Sequence, residues 1–104
     1  MPQHYAIRTR ATRPEMRVTG LNDMEQAAYA KHVPWLQAQI EAGIMSFVGR
    51  TAAGGADGWA LTVIKADSED AAREIMMSDP FVQDGVVVPE LFAFEVIRVE
   101  PQNL

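Results

Sequence analysis

Two segments of this chain are apolar at nearly every position: Trp59-Ala60-Leu61-Thr62-Val63-Ile64 and Leu91-Phe92-Ala93-Phe94-Glu95-Val96-Ile97. Successive strand residues point to opposite faces, so a segment of this kind needs cover on both sides. A chain of 104 residues has few elements to provide it, and it buries only roughly 60–65% of its unfolded surface. If its helices cover one face, the simplest cover for the other is a second copy of the same sheet in a two-fold homodimer. Such an interface would bury about 1,200 Å² or more.

The rest of the chain reads as the partners of those two strands. Residues 4–11 (His4 to Ala11) alternate between larger apolar and polar side chains, a half-buried strand that Pro14 ends. Asn22 caps a helix and Glu25, three residues on, completes a capping box. Tyr29, Val33, Leu36 and Ile40 then fall on one helical stripe, and Gly43 stops the helix. Pro34 removes the bond to the Ala30 carbonyl, so a kink or a break into two helices is expected near residues 30–34. Ile44–Thr51 reads as the second strand, the glycine-rich Ala52–Gly58 as a hairpin loop, and Trp59–Ala66 as the third strand. Asp67 or Ser68 caps a second helix with Ala71, Ala72, Ile75 and Met76 on its inner face, and Asp79-Pro80 stops it. Leu91–Val99 is the last strand. The order β-α-β-β-α-β is the ferredoxin-like α+β arrangement, with a four-stranded antiparallel sheet in one domain spanning residues 1–104.

Charge and composition narrow the function. The net charge is −5, with six basic and four acidic residues in 1–51 but three and ten in 52–104. An acidic domain without a basic helix is a poor nucleic-acid binder. Arg8, Arg10, Arg13 and Arg17 read either as a solvated edge strand and loop or as an attraction for a carboxylate or phosphate. The absence of cysteine excludes disulfides, iron–sulfur clusters, thiolate zinc sites and a cysteine nucleophile. Two histidines, His4 and His32, are too few for a multi-histidine metal site, and no cofactor is expected. No apolar run reaches membrane-span length, and Met1–Tyr5 lacks the start of a signal peptide, so a cytoplasmic protein is expected.

The runs Lys31-His32-Val33-Pro34-Trp35-Leu36, Glu41-Ala42-Gly43-Ile44 and Ser78-Asp79-Pro80-Phe81-Val82-Gln83-Asp84-Gly85-Val86 resemble the YCII-related (YciI-like) family over about residues 4–99. The resemblance implies the dimeric α+β barrel superfamily. It also implies a pocket holding a histidine and an aspartate as an acid–base pair, which fall here on His32 and Asp79. Two positions depart from the family pattern. Tyr29 stands where members often carry arginine, and Gly49-Arg50 stands where they carry Gly-Pro, as though a cation had moved between walls of the pocket.

A histidine held in one tautomer by a carboxylate can move a proton near neutral pH. The plainer reading of Asp79 is a helix stop bonded to nearby amides, and that of His32 is a satisfied helix histidine. Trp35, Phe47, Trp59 and Phe81 read as pocket walls or as core and dimer interface. Tyr29 offers a hydroxyl one turn before His32, and Arg50 reads as an anion clamp or a solvated strand end. The expected function is acid–base chemistry by a small homodimer, an isomerisation or elimination on a small cyclic organic molecule. The alternatives are a non-catalytic ligand-binding or accessory dimer and a purely structural oligomerisation module.

Overall fold

A computed structural model describes residues 2–104. In chain order the elements are β1 (Gln3–Ala11), α1 (Met16–Thr19), α2 (Asp23–Glu41), β2 (Met45–Arg50), β3 (Ala60–Ala66), α3 (Glu69–Met77), α4 (Pro80–Gln83) and β4 (Val87–Phe94), with a closing 3-10 turn at Pro101–Asn103. The four strands form one sheet in the order β2-β3-β1-β4, antiparallel throughout. This is the ferredoxin-like α+β fold.

Both ends of α2 follow from local chemistry. Asn22 Oδ1 accepts the Glu25 N–H at 2.9 Å, and Glu25 Oε1 accepts the Asn22 N–H at 2.8 Å. At the other end Gly43 has φ 75°. The Ile44 N–H bonds the Gln39 carbonyl and the Gly43 N–H the Ile40 carbonyl, both at 3.0 Å. This six-to-one, five-to-two pair needs a left-handed residue, which glycine adopts without a Cβ penalty. The expected break at Pro34 does not occur, because α2 runs unbroken from Asp23 to Glu41. Proline removes one bond, but side chains on both sides of it, Lys31, His32 and Trp35, are tied to the α3–α4 region.

The buried face of α2 is also rotated from the expected stripe. Glu25 and Ala28 are buried, His32, Trp35, Leu36 and Gln39 are half-buried, and Tyr29, Val33 and Ile40 are exposed. In α3 the expected inner face holds: Ala72 and Met76 are buried and Ala71 and Ile75 pack beside them. Ser68 is the cap, its side chain accepting the Ala71 N–H at 3.1 Å.

The last strand lies earlier than the sequence pattern suggests, at Val87–Phe94 rather than Leu91–Val99. Pro89 does not interrupt it because β4 is an edge strand whose one neighbour is β1. By contrast β1 is an inner strand, not the edge its arginines suggested. The short helices α1 and α4 have too few turns to leave a periodic signal.

Helices cover one face of the sheet. Tyr5 and Ile7 of β1, Ile64 and Ala66 of β3 and Met45 of β2 pack against Ala72 and Met76, with Trp35 and Leu36 beside them. A smaller cluster of Met16, Ala28 and Val86 joins α1, α2 and the start of β4. The other face carries Phe47, Val88, Phe92 and Phe94, all exposed in the single chain. It also carries Arg8, which donates to Glu90 Oε1 at 2.9 Å and lies over the Phe92 ring. Among the described residues no helix is long and apolar enough to cross a membrane.

One irregularity decides what β2 presents to each face. Met45 pairs with Ile64, but Phe47 pairs with the adjacent Val63, so an extra residue, Ser46, is accommodated as a bulge. From there Val48 pairs with Thr62 and Arg50 with Ala60. Thr62 pairs with Ile7 and Ala60 with Thr9, on the helix-covered side. Val48 and Arg50 therefore share that side with Met45, and Phe47 faces away from it.

Candidate active site

A cleft of about 910 Å³ opens between α2 and the end of the sheet that α3 leaves uncovered. Its floor includes Thr9 and Ala11 of β1, Val48 and Arg50 of β2, and Ala60 of β3. Tyr29, His32, Val33 and Leu36 of α2 form one wall, and Asp79 and Phe81 close the corner beside them. The opposite rim comes from the α1 segment and from the glycine-rich loop that ends at Trp59.

His32 and Asp79 meet at the back of this cleft. Nδ1 of His32 lies 2.7 Å from Asp79 Oδ1, and the two side chains are 17% and 11% exposed. Asp79 is also the N-cap of α4: its Oδ1 accepts the Phe81 N–H at 2.9 Å. A carboxylate oxygen has no proton to give, so in the neutral imidazole the proton sits on Nδ1 and Nε2 is the unprotonated nitrogen. The structural role of Asp79 as a helix cap and its contact with His32 thus coexist in one oxygen atom. Pro80, at the first helical position, fixes the backbone there.

Aromatic rings hold the imidazole plane. The His32 ring lies on Phe81 with centroids 4.0 Å apart and planes 8° apart. Tyr29 stacks on the same Phe81 at 6.2 Å. Trp35 flanks His32 at 6.0 Å, and its indole N–H donates to Ser78 Oγ at 2.9 Å. At the far end of α4, Lys31 Nζ reaches Asp84 Oδ2 at 2.7 Å.

Of the residues singled out from sequence, His32, Asp79, Tyr29, Arg50, Trp59 and Phe81 line the one cleft. Trp35 and Phe47 do not: Trp35 turns toward Ser78, and the bulge in β2 sends Phe47 to the opposite face of the sheet. Arg50 makes no ion pair among the described residues.

The four N-terminal arginines do not converge on a ligand. Arg8 pairs with Glu90 on the open face, and Arg13 is bidentate to the buried Glu25. Arg10, at an even position of β1 like Arg8, faces the same open side. Only Arg17 lines the cleft; its Nη2 donates to the Thr51 carbonyl at 2.8 Å. That bond ties α1 to the loop after β2. Gly54 permits this approach, since a Cβ there would lie 2.7 Å from Arg17 Cβ. Neither contact was legible in the sequence, because α1 and the loop are irregular and meet only in the tertiary fold.

Two comparisons with known proteins bear on this arrangement. The fold matches that of 5-chloro-2-hydroxyhydroquinone dehydrochlorinase from Burkholderia phenoliruptrix, solved in complex with 2,5-dihydroxybenzoquinone. The TM-score is 0.64 at 18% identity, covering 88% of this chain and 93% of that one. At that identity the match speaks to fold alone. No curated protein matches the sequence. A family model, the YCII-related domain, matches residues 4–95, and the chain belongs to that family.

Proposed function

We propose that this protein is a small homodimeric enzyme that moves a proton on a small cyclic organic molecule, with His32 as the acid–base group and Asp79 as its partner. The observation that carries the reading is the 2.7 Å contact between His32 Nδ1 and Asp79 Oδ1, with both residues lining a cleft large enough for a ring compound. His32 Nε2 takes a proton from the substrate, and the carboxylate stabilises the imidazolium that results. In an elimination the electron pair left behind forms a double bond as an anion departs. In an isomerisation the same nitrogen returns the proton to another atom. The protein that shares the fold is a dehydrochlorinase, an enzyme of the first kind.

Trp59 and Phe81 offer apolar walls for a ring. Tyr29 offers a hydroxyl at the rim. Arg50 lines the cleft and makes no ion pair among the described residues, which suits an anionic substituent.

The test is turnover of a panel of halogenated hydroxyquinols and small lactones by the wild-type protein, His32→Ala, Asp79→Asn and Arg50→Gln. The two dyad variants should lose ~10²-fold or more in kcat, the scale of a general acid–base residue. Arg50→Gln should raise KM for anionic members of the panel only. Unaltered turnover in a folded His32→Ala protein would overturn the enzymatic reading. Binding without turnover across the panel would favour a ligand-binding dimer of the same fold.

A further inference from the structure

Trp35 is not among the residues that line the cleft, yet its side-chain hydrogen bond ends one residue from Asp79. Its indole N–H donates to Ser78 Oγ at 2.9 Å, and the Ser78 hydroxyl donates its own proton to the Ile75 carbonyl at 2.6 Å. That second bond fixes the Ser78 rotor, so a lone pair of Oγ is directed at the indole. Ser78 is the C-cap of α3 and Asp79 is the N-cap of α4. The two residues are therefore the corner between the helices.

Across from this corner, His32 and Trp35 are three residues apart on α2 and lie on the same side of it. Two hydrogen bonds run in parallel between α2 and the corner: His32 to Asp79 and Trp35 to Ser78. One bond leaves the corner free to swivel about it. Two bonds fix both the distance and the rotation. The Trp35 ring also flanks the imidazole, inclined at 25° to it, on a helix turn from which Pro34 has removed a backbone bond.

We infer that Trp35 and Ser78 are positioning residues for the His32–Asp79 pair: their bond orients the α3–α4 corner so that Asp79 Oδ1 faces His32 Nδ1 and holds one imidazole tautomer. This rests on the functional reading of that pair but makes a separate claim about its geometry, which needs no substrate to test.

The experiment is long-range proton–nitrogen NMR of the histidine rings in the intact protein above the titration range of histidine, with His4→Gln used to assign His32. The wild-type ring should be almost wholly in the form protonated at Nδ1. Trp35→Phe keeps an aromatic ring but loses the donor, and Ser78→Ala loses the acceptor. In each, the form protonated at Nε2, which free imidazole side chains favour, should rise several-fold while the backbone amide spectrum stays native. Ser78→Thr, which keeps the hydroxyl, should restore the wild-type ratio. A wild-type tautomer ratio in folded Ser78→Ala would overturn the inference. Should Trp35→Phe not fold, Ser78→Ala and Ser78→Thr still decide it. Failure to find any turned-over substrate would bear on the catalytic reading and leave this result standing.

Discussion

Phe81 and His32 lie ring on ring, centroids 4.0 Å apart and planes 8° apart. Phe81 also donates its backbone N–H to the Asp79 oxygen that His32 contacts. One residue thus sets both the imidazole plane and the carboxylate opposite it. Phe81→Leu retains the N–H and most of the apolar volume but removes the flat surface. Loss of that surface should lower kcat by ~10-fold through misplacement of the ring, with a smaller change in KM. Steady-state kinetics on any substrate found by the panel above would check this; an unchanged kcat would show that the hydrogen bond alone suffices.

Pro34 sits exposed in the middle of an unbroken helix. It contributes little buried surface and forfeits one helical bond, while proline in a helix interior is worth about 3 kcal/mol less than alanine. Pro34→Ala should therefore raise stability by ~1–3 kcal/mol, read as a higher urea midpoint with the same slope. A destabilised variant would mean that the proline shapes the turn carrying His32 and Trp35, and turnover measured alongside would reveal it.

Glu25 is 2% exposed. Arg13 donates to both of its oxygens, at 2.6 and 3.0 Å, and also to the Gly20 carbonyl, tying the α1 segment to the start of α2. The Arg13 hydrogen bond, opposed by burial and helped by the Asn22 N–H, holds the Glu25 carboxyl below its ordinary value of 4.5. A group held low in the folded state binds protons more readily when unfolded. Its contribution is complete above the ordinary value and disappears as pH falls through the lowered one. Denaturant titrations from pH 7 downward should show this loss in the wild type and a flatter profile in Glu25→Gln, which keeps the capping geometry without the charge. Parallel profiles would remove Glu25 as a source of the acid sensitivity.

The open face of the sheet leaves Phe47, Phe92 and Phe94 each at least 40% exposed. Those exposures motivate the proposed homodimer: sedimentation should give twice the 11.5 kDa chain mass at micromolar concentration. Phe92→Asp, opposite Ala6 on β1, should shift it to monomer with the fold intact. A wild-type monomer would leave the apolar face without its proposed cover.

The order of the main elements was legible because it rests on local chemistry: the Asn22–Glu25 capping box, the Gly43 stop and the Ser68 cap are readable over a few residues. Asp79-Pro80-Phe81 carried the corner of the site for the same reason. The rest depended on contacts between distant segments. The stripe of Tyr29, Val33, Leu36 and Ile40 reads as the face of α2 toward the sheet, but of these Leu36 packs on the core while the other three are exposed, and the face used also includes Ala28, His32 and Trp35. The polar atoms of His32 and Trp35 find their partners in the α3–α4 corner. The apolar run from Leu91 onward draws the expected last strand late, whereas the strand that pairs with β1 is Val87–Phe94. Arg17 reaches the cleft through a carbonyl on another loop, which no spacing along the chain could reveal.

Phe47 and Arg50 are three positions apart, so a regular strand must send them to opposite sides. Ser46, the extra residue, determines which one goes where. Were β2 to pair from Met45 onward without the bulge, every later side chain would invert: a phenylalanine would enter the cleft and the arginine would move to the opposite side. The same six residues thus encode two different linings, one cationic and one aromatic, that differ by a single step of register. The choice between a cationic and an aromatic lining resides in Ser46, which is itself not among the residues that line the cleft.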